Sequence, residues 1–293
     1  MNMNAEAFAE WPARELERLV ATFVATSPEN SMKTVSEEPA WDEPLVGFAS
    51  GADPIFETYK EHVGPFAFTP EELFALSFPE EPVRAEELTV MAWILPQRTA
   101  TKEDNRRERL RGAERWARSR LYGERFNVLL REHVVASLAE VGISAVAPQL
   151  SPHWKGEISP LYGRSSRWSE RHAAHACGLG TFGLCDGLIT PKGKAHRVGS
   201  VVLHRAVPPT PRPYAHHRAW CLFYVDGSCS ACVRRCPAGA ISEAGHDKER
   251  CDRHLEEVCL PYAREVWGIE TYGCGLCQTG VPCESGIPKR VVL

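Results

Sequence analysis

Cys221-Leu-Phe-Tyr-Val-Asp-Gly-Ser-Cys229-Ser-Ala-Cys232-Val-Arg-Arg-Cys236-Pro237 carries four of the chain's eleven cysteines. A second set follows at Cys251, Cys274, Cys277 and Cys283; with Cys259, nine cysteines fall between positions 221 and 283. A two-residue gap lets one turn of chain aim two sulfurs at the same centre, and thiolates are soft metal ligands. The remaining composition is ordinary. Of 293 residues, 43% are apolar and 25% charged, enough for a sizeable core. Thirty-four Lys and Arg against 38 Asp and Glu leave a net charge of −4, which excludes a surface built throughout to wrap a polyanion.

The compartment follows from the N-terminal stretch and the cysteine usage together. Glu6, Glu10, Arg14, Glu15, Glu17 and Arg18 interrupt any export-signal core, and the longest apolar run, Val90–Leu95, is far below membrane-spanning length. Closely spaced cysteines in an unexported chain bind metal more often than they form disulfides. The expectation is a cytoplasmic metalloprotein without membrane association.

The spacing of the first set is close to the bacterial ferredoxin run, whose fourth cysteine ligates the other cluster. Crossing the ligands that way assigns Cys221, Cys229, Cys232 and Cys283 to one [4Fe–4S] cluster and Cys236, Cys251, Cys274 and Cys277 to a second. Asp226 stands where the plain run has its first cysteine. Cys221, in a Trp220–Tyr224 stretch that reads as a strand, takes that role, with Asp226 itself the alternative ligand. Two four-cysteine zinc sites are the rival chemistry, although the x2-x3-Pro run is the ferredoxin form. Cys177, Cys185 and Cys259 are left over and read as small buried hydrophobes.

Outward from the cysteines, residues 1–206 read as an α/β domain, 207–215 as a Pro-rich linker and 216–293 as the two-cluster domain. Trp11–Thr26 has a helical apolar stripe, Leu45–Ala49 and Leu88–Leu95 read as strands, and Asp53-Pro and Thr69-Pro-Glu-Glu72 as helix starts. Helices are expected over Glu103–Tyr122, Arg125–Glu140 and Arg167–Ala176. Strands are expected at Ile143–Ala147, Leu188–Pro191 and Val198–His204, the last two joined by a turn at Pro191–Lys194. Lys102–Arg131 holds ten basic and five acidic residues, either a face laced by i, i+4 pairs or a phosphate-binding face. His172 and His175 share a helix face, as a hydrogen-bonded pair lining a core or cleft or as ligand or substrate contacts, and His216-His217 read as solvent-facing. Gly178-Leu-Gly180-Thr-Phe-Gly183 follows a helix rather than a strand, so it fails as a dinucleotide fingerprint; its glycines suit backbone turns and close approach to a flat cofactor or a cluster.

Three pieces together carry a resemblance: Arg167-Trp-Ser-Glu-Arg-His-Ala-Ala-His-Ala-Cys-Gly-Leu-Gly-Thr-Phe-Gly183, Leu188-Ile-Thr-Pro191 with Val198-Gly-Ser-Val-Val202, and the tail with Tyr272-Gly-Cys-Gly-Leu-Cys-Gln278. The chain resembles epoxyqueuosine reductases and, more distantly, reductive dehalogenases. The resemblance implies a nitroreductase-like, corrinoid-binding α/β (α+β) domain followed by a bacterial-ferredoxin-like module. It implies electrons passing through two [4Fe–4S] clusters to cobalamin, and reductive removal of oxygen or another leaving group from a small or nucleoside-type substrate. The partners implied are a ferredoxin- or flavodoxin-type donor and, through the family's substrate, tRNA. The family's Asp proton donor has no counterpart: the matching stretch is Arg164-Ser-Ser-Arg167, with no carboxylate before Glu170. Tyr162 with Arg164 and Arg167, or else His172 or His175, are the candidate proton donors. The competing class is a corrinoid-free electron-transfer partner of another enzyme.

Overall fold

Val90–Leu95 lies at the centre of a four-stranded sheet. In the computed structural model, which describes residues 5–34 and 36–291, β1 (Leu45–Ser50) pairs with β2 (Thr89–Pro96). β2 pairs in turn with β8 (His196–Leu203), and β3 (Ala145–Val146) closes the far edge on β8. Every pairing is antiparallel, so the body is α/β in the α+β sense. All eight residues of β2 are buried. Strand alternation sends Met91, Trp93 and Leu95 into one core with Phe126 and Leu130, and Val90, Ala92 and Ile94 into another with Phe56 and Phe74. Helices cover both faces, which is why this strand is a continuous apolar run instead of an alternating one.

The covering helices follow their local signals. After α1 (Ala5–Glu10), α2 (Pro12–Thr26) buries Leu16, Leu19, Val20 and Val24. The Asp53 carboxylate accepts from the Ile55 N–H at the start of α3 (Ile55–His62). Thr69 and Glu72 form the expected capping box of α4 (Pro70–Ser77). The basic stretch departs from expectation. α5 (Thr99–Arg107) is short, and a single α6 (Glu114–Glu140) runs unbroken through Tyr122–Arg125. The break falls earlier, before Ala113, whose N–H donates to the Asn105 side chain (2.8 Å). Arg106 pairs with Glu284, Arg115 with Glu38 and Asp104, Arg118 with Glu114, and Arg131 with Glu124 and Glu170. Much of this stretch is therefore an ion-paired surface.

Two short hairpins shape one end of the body: β4 (Gly156–Ser159) with β5 (Gly163–Ser166), and β6 (Thr181–Phe182) with β7 (Leu188–Ile189). The first corrects the helix expected from Arg167: α7 runs Glu170–Ala176, starting where Ser169 caps it. The second takes Leu188–Ile189 out of the main sheet, so the Thr190–Gly193 turn joins two sheets.

The Pro-rich segment is pinned along β1, where Thr210 exchanges hydrogen bonds with Phe48 (N–H to Phe48 O, 2.9 Å; Phe48 N–H to Oγ1, 3.0 Å). Beyond it come α8 (Leu222–Asp226), α9 (Ala231–Arg235), the hairpin β9 (Ile241–Ser242) with β10 (Gly245–His246), and α10 (Lys248–His254). A π-helical turn, Leu255–Cys259, continues α10 into α11 (Leu260–Trp267). Trp220–Tyr224 is thus no strand: Cys221 caps α8, its carbonyl accepting from Tyr224 and Val225. A five-residue apolar run satisfies either period. The tail is fastened to the body by Arg235, whose guanidinium reaches the carbonyls of Asn105, Glu108, Leu276 and Thr279. Among the described residues no helix is long and apolar enough to cross a membrane. Residues 1–4 and 292–293, at the ends of the two expected domains, lie outside the described residues.

Candidate active-site cleft and cysteine centre

A cavity of about 820 Å3 opens between α3, α7, the β4–β5 hairpin and the chain just after the Pro-rich segment. α7 presents His172 and His175 to it at i, i+3, while Ala173, Ala174 and Ala176 pack into the core on the other side. The Ser169 hydroxyl caps the helix through the His172 N–H and also meets His172 Nδ1 at 2.8 Å. Tyr59 of α3 completes the wall. Its hydroxyl lies 3.0 Å from the His172 carbonyl and 2.9 Å from His175 Nδ1. One proton cannot serve both, so the hydroxyl donates to the carbonyl and accepts from His175 Nδ1–H, a tautomer assigned from this network. His175 Nε2 is then an acceptor, buried and without a protein partner among the described residues.

Burial keeps these rings neutral. His172, between Tyr59 and Phe182, is pushed down to about 3, and His175, stacked on Tyr214, to about 4. Burial also lowers Lys248, another residue of the cleft, and raises Tyr59. The cleft is nonetheless cationic. Arg171, Arg218 and Lys248 line it with no carboxylate in ion-pair range among the described residues, while Arg212 is paired with Asp53 (2.6 Å) and Arg164 with Asp252. Beneath α7, Arg131 links Glu170 (3.3 Å) and Glu124 (3.2 Å), and burial raises Glu170 to about 7.

The sequence candidates separate here. Tyr162, Arg164, His172 and His175 line the cleft; Arg167 turns aside to Glu157 (2.8 Å). Of the three glycines only Gly183 reaches the cleft. Gly178 has φ +77°, and a Cβ there would meet the Pro211 carbonyl at 2.6 Å; at Gly180 it would meet the Ile189 carbonyl at 2.3 Å. Those two glycines serve backbone packing. Tyr59, Arg212, Tyr214 and Lys248 went unread because no local motif marks them; the Asp53-Pro helix start was the one available pointer to Tyr59's helix. His216 and His217 are exposed at the cleft's mouth.

The cysteine tail lies behind this wall. Cys221, Cys229, Cys232 and Cys283 line one small cavity with Lys194 and Leu184. In the second set, Cys274 faces Cys259 and His254, and Cys251 faces His246. Cys259 sits in the π-helical turn that brings it there, so it belongs to the thiol-rich region and is no isolated hydrophobe. Cys185 is a second correction: buried, it touches Cys232 of one set and Cys277 of the other. Cys177 fits the simple reading, packed in the core with its Sγ 3.2 Å from the Val90 carbonyl. Among the described residues no three His, Cys, Asp or Glu side chains gather as a single metal ion requires.

Two segments form a wall common to both places. Phe182 and Gly183 face the cleft and Leu184 the cysteine cavity; Arg218 faces the cleft and Cys221 the cysteine cavity. No family model matches the chain. An epoxyqueuosine reductase of Bacillus anthracis is 31% identical over 124 residues, 41% of this chain and 30% of that protein. The chain resembles epoxyqueuosine reductases. The matched stretch spans only about 30% of such a relative's length. At the level of fold, a catabolic reductive dehalogenase in complex with 3-bromo-4-hydroxybenzoic acid has a TM-score of 0.53 at 15% identity, over 94% of this chain and 37% of that one. A reductive dehalogenase structure described with B12-dependent dehalogenation has a TM-score of 0.50 at 15% identity, over 80% of this chain and 29% of that one.

Proposed function

We propose that the chain is an epoxyqueuosine reductase-like iron–sulfur reductase that passes electrons from its cysteine centre through the common wall to a ligand in the cleft. The single observation that carries this reading is the wall itself, where the neighbouring residues Gly183 and Leu184 line the cleft and the cysteine cavity respectively. Four thiols, with no other metal-ligating side chain, line the first cavity beside a buried cation, a donor set that suits an anionic thiolate cluster. Cys221, Cys229, Cys232 and Cys283 would hold one [4Fe–4S] cluster and Cys236, Cys251, Cys274 and Cys277 the other. Bound there, the clusters supply one-electron transfer.

The cleft suits a corrinoid: it is large, and its walls carry Tyr59, Trp154, Phe182 and Tyr214. A corrinoid would supply the two-electron reductive chemistry implied by the relatives, removal of oxygen or another leaving group from a small or nucleoside-type substrate. Arg171, Arg218 and Lys248 would orient an anionic part of the ligand, and a phosphate of a nucleoside or tRNA fits them. His172 and His175, neutral and tied into hydrogen bonds, hold shape and carry no spare proton at pH 7. Lys248 is a further candidate proton donor, because burial lowers its pKa and makes it a stronger acid than an ordinary lysine. A ferredoxin- or flavodoxin-type donor would reduce the clusters.

Anaerobic purification tests this, with iron, sulfide, zinc and cobalt quantified and cobalamin added while its visible spectrum is followed. About eight irons per chain and a base-off shift are expected. Stoichiometric zinc without sulfide would remove the reading. Eight irons with an unchanged corrinoid spectrum would reduce it to electron transfer alone.

A further inference from the structure

Lys194 is a buried cation without a carboxylate. The residue is 3% exposed, and among the described residues no Asp or Glu pairs with it. Its Nζ donates to Cys185 Sγ at 3.1 Å, and its backbone N–H donates to the Cys283 carbonyl at 2.9 Å. The side chain lines the same small cavity as Cys221, Cys229, Cys232 and Cys283. Cys185 in turn touches Cys232 of the first set and Cys277 of the second. Neither Lys194 nor Cys185 is among the eight proposed ligands, and neither lines the cleft.

An ammonium ion taken out of water is strongly disfavoured unless negative charge lies against it. The groups within reach that can carry that charge are sulfurs. A cluster held by four thiolates is anionic, and each added electron makes it more so. A fixed cation beside it, in surroundings of low dielectric, therefore favours the reduced state.

We infer that Lys194 is a positioning residue of the cysteine centre: it holds Cys185 as a ninth, non-ligating thiol between the two cysteine sets and raises the midpoint potential of the cluster on Cys221, Cys229, Cys232 and Cys283. This rests on the iron–sulfur reading proposed above. It separates Cys185 by role from the eight proposed ligands, and it makes the turn Thr190–Lys194 part of the redox centre.

The test uses the full chain, reconstituted without oxygen, with iron and sulfide counted and the clusters titrated by EPR at controlled potentials. K194M is expected to keep its iron and to lower one midpoint so that the reduced-to-oxidised ratio at fixed potential falls about tenfold, about 59 mV for one electron. K194R should stay near the parent protein, and C185A should keep the full iron count. Full iron in K194M with both midpoints unmoved overturns the inference, as does loss of iron in C185A, which would make that thiol a ligand. If K194M takes up no iron, K194R and K194Q decide: iron restored by arginine alone supports a charge role, and loss in both shows packing and overturns it. A parent chain that takes zinc without sulfide removes the iron–sulfur reading and this inference together. A loaded parent with an unmoved K194M removes the inference alone.

Discussion

The α7 wall of the cleft and the cysteine tail behind it handle buried polar groups in opposite ways. Along α7, side chains of the same body satisfy one another: Ser169 caps the helix and Tyr59 bridges the His172 carbonyl and His175 Nδ1. The Tyr214 hydroxyl donates to the His175 carbonyl. The tail gathers thiols beside other thiols, one ammonium and the rings of His246 and His254. The first arrangement satisfies most of its polar groups as folded, and on the proposed iron–sulfur reading the second would be completed by its clusters. On that reading the wall's stability is intrinsic, whereas folding of the tail would be linked to its clusters.

The largest effect should break the tail and spare the wall. Cys232→Ala removes one proposed ligand, and about four of about eight irons should be lost on analysis. Limited proteolysis should then cut within 216–291 before the body. Equal loss of body and tail would show that the two are one cooperative unit. Next is the ion network under α7. Arg131→Met strips the cation from buried Glu170, while Glu124 keeps Arg197 (2.6 Å), and breaking a buried pair costs about 3–5 kcal/mol in urea unfolding. Unchanged iron content would confine that loss to the wall.

The pH dependence sharpens the same contrast. His172, His175 and His196 fall to about 3, 4 and 4, chiefly through burial, while Glu170 rises to about 7. Between pH 6.5 and 4.5 the unfolded chain binds protons on three histidines that the folded chain refuses, so stability falls as pH falls. Glu170 acts in the other direction, because there the folded state is the one that holds the proton. The net is two protons, at most about 3 kcal/mol per pH unit. Glu170→Gln should steepen the slope by about one proton, read from urea midpoints across that window. The smallest effect is Tyr59→Phe, about 1 kcal/mol for the lost hydroxyl contacts. Any corrinoid affinity should weaken in that variant without loss of iron.

Much of this layout was legible beforehand. Val90–Leu95 had to be a strand buried on both faces, and Thr69 with Glu72 had to cap a helix, because local chemistry decides such features. Cys221, Cys229, Cys232 and Cys283 line one cavity. The strand at Trp220–Tyr224 and the helix break near Tyr122 were misread: one was a short run with two admissible periods, and the break lies before Ala113, whose N–H donates to the Asn105 side chain. Tyr59 and Lys248 stayed silent: each reaches the cleft from an element remote in sequence from α7.

The sequence by itself determined which residues can be ligands, since only cysteine spacing and residue type enter that choice. It also determined the buried strand, since hydrophobic runs act through local partition between water and core. Only the tertiary structure decided that Cys185 and Lys194 stand among those cysteines and that Arg167 turns away to Glu157. It alone placed the wall between cleft and thiols at a single step of chain. Each of these depends on contacts between segments whose separation in sequence carries no periodicity to read, and packing is what brings them together.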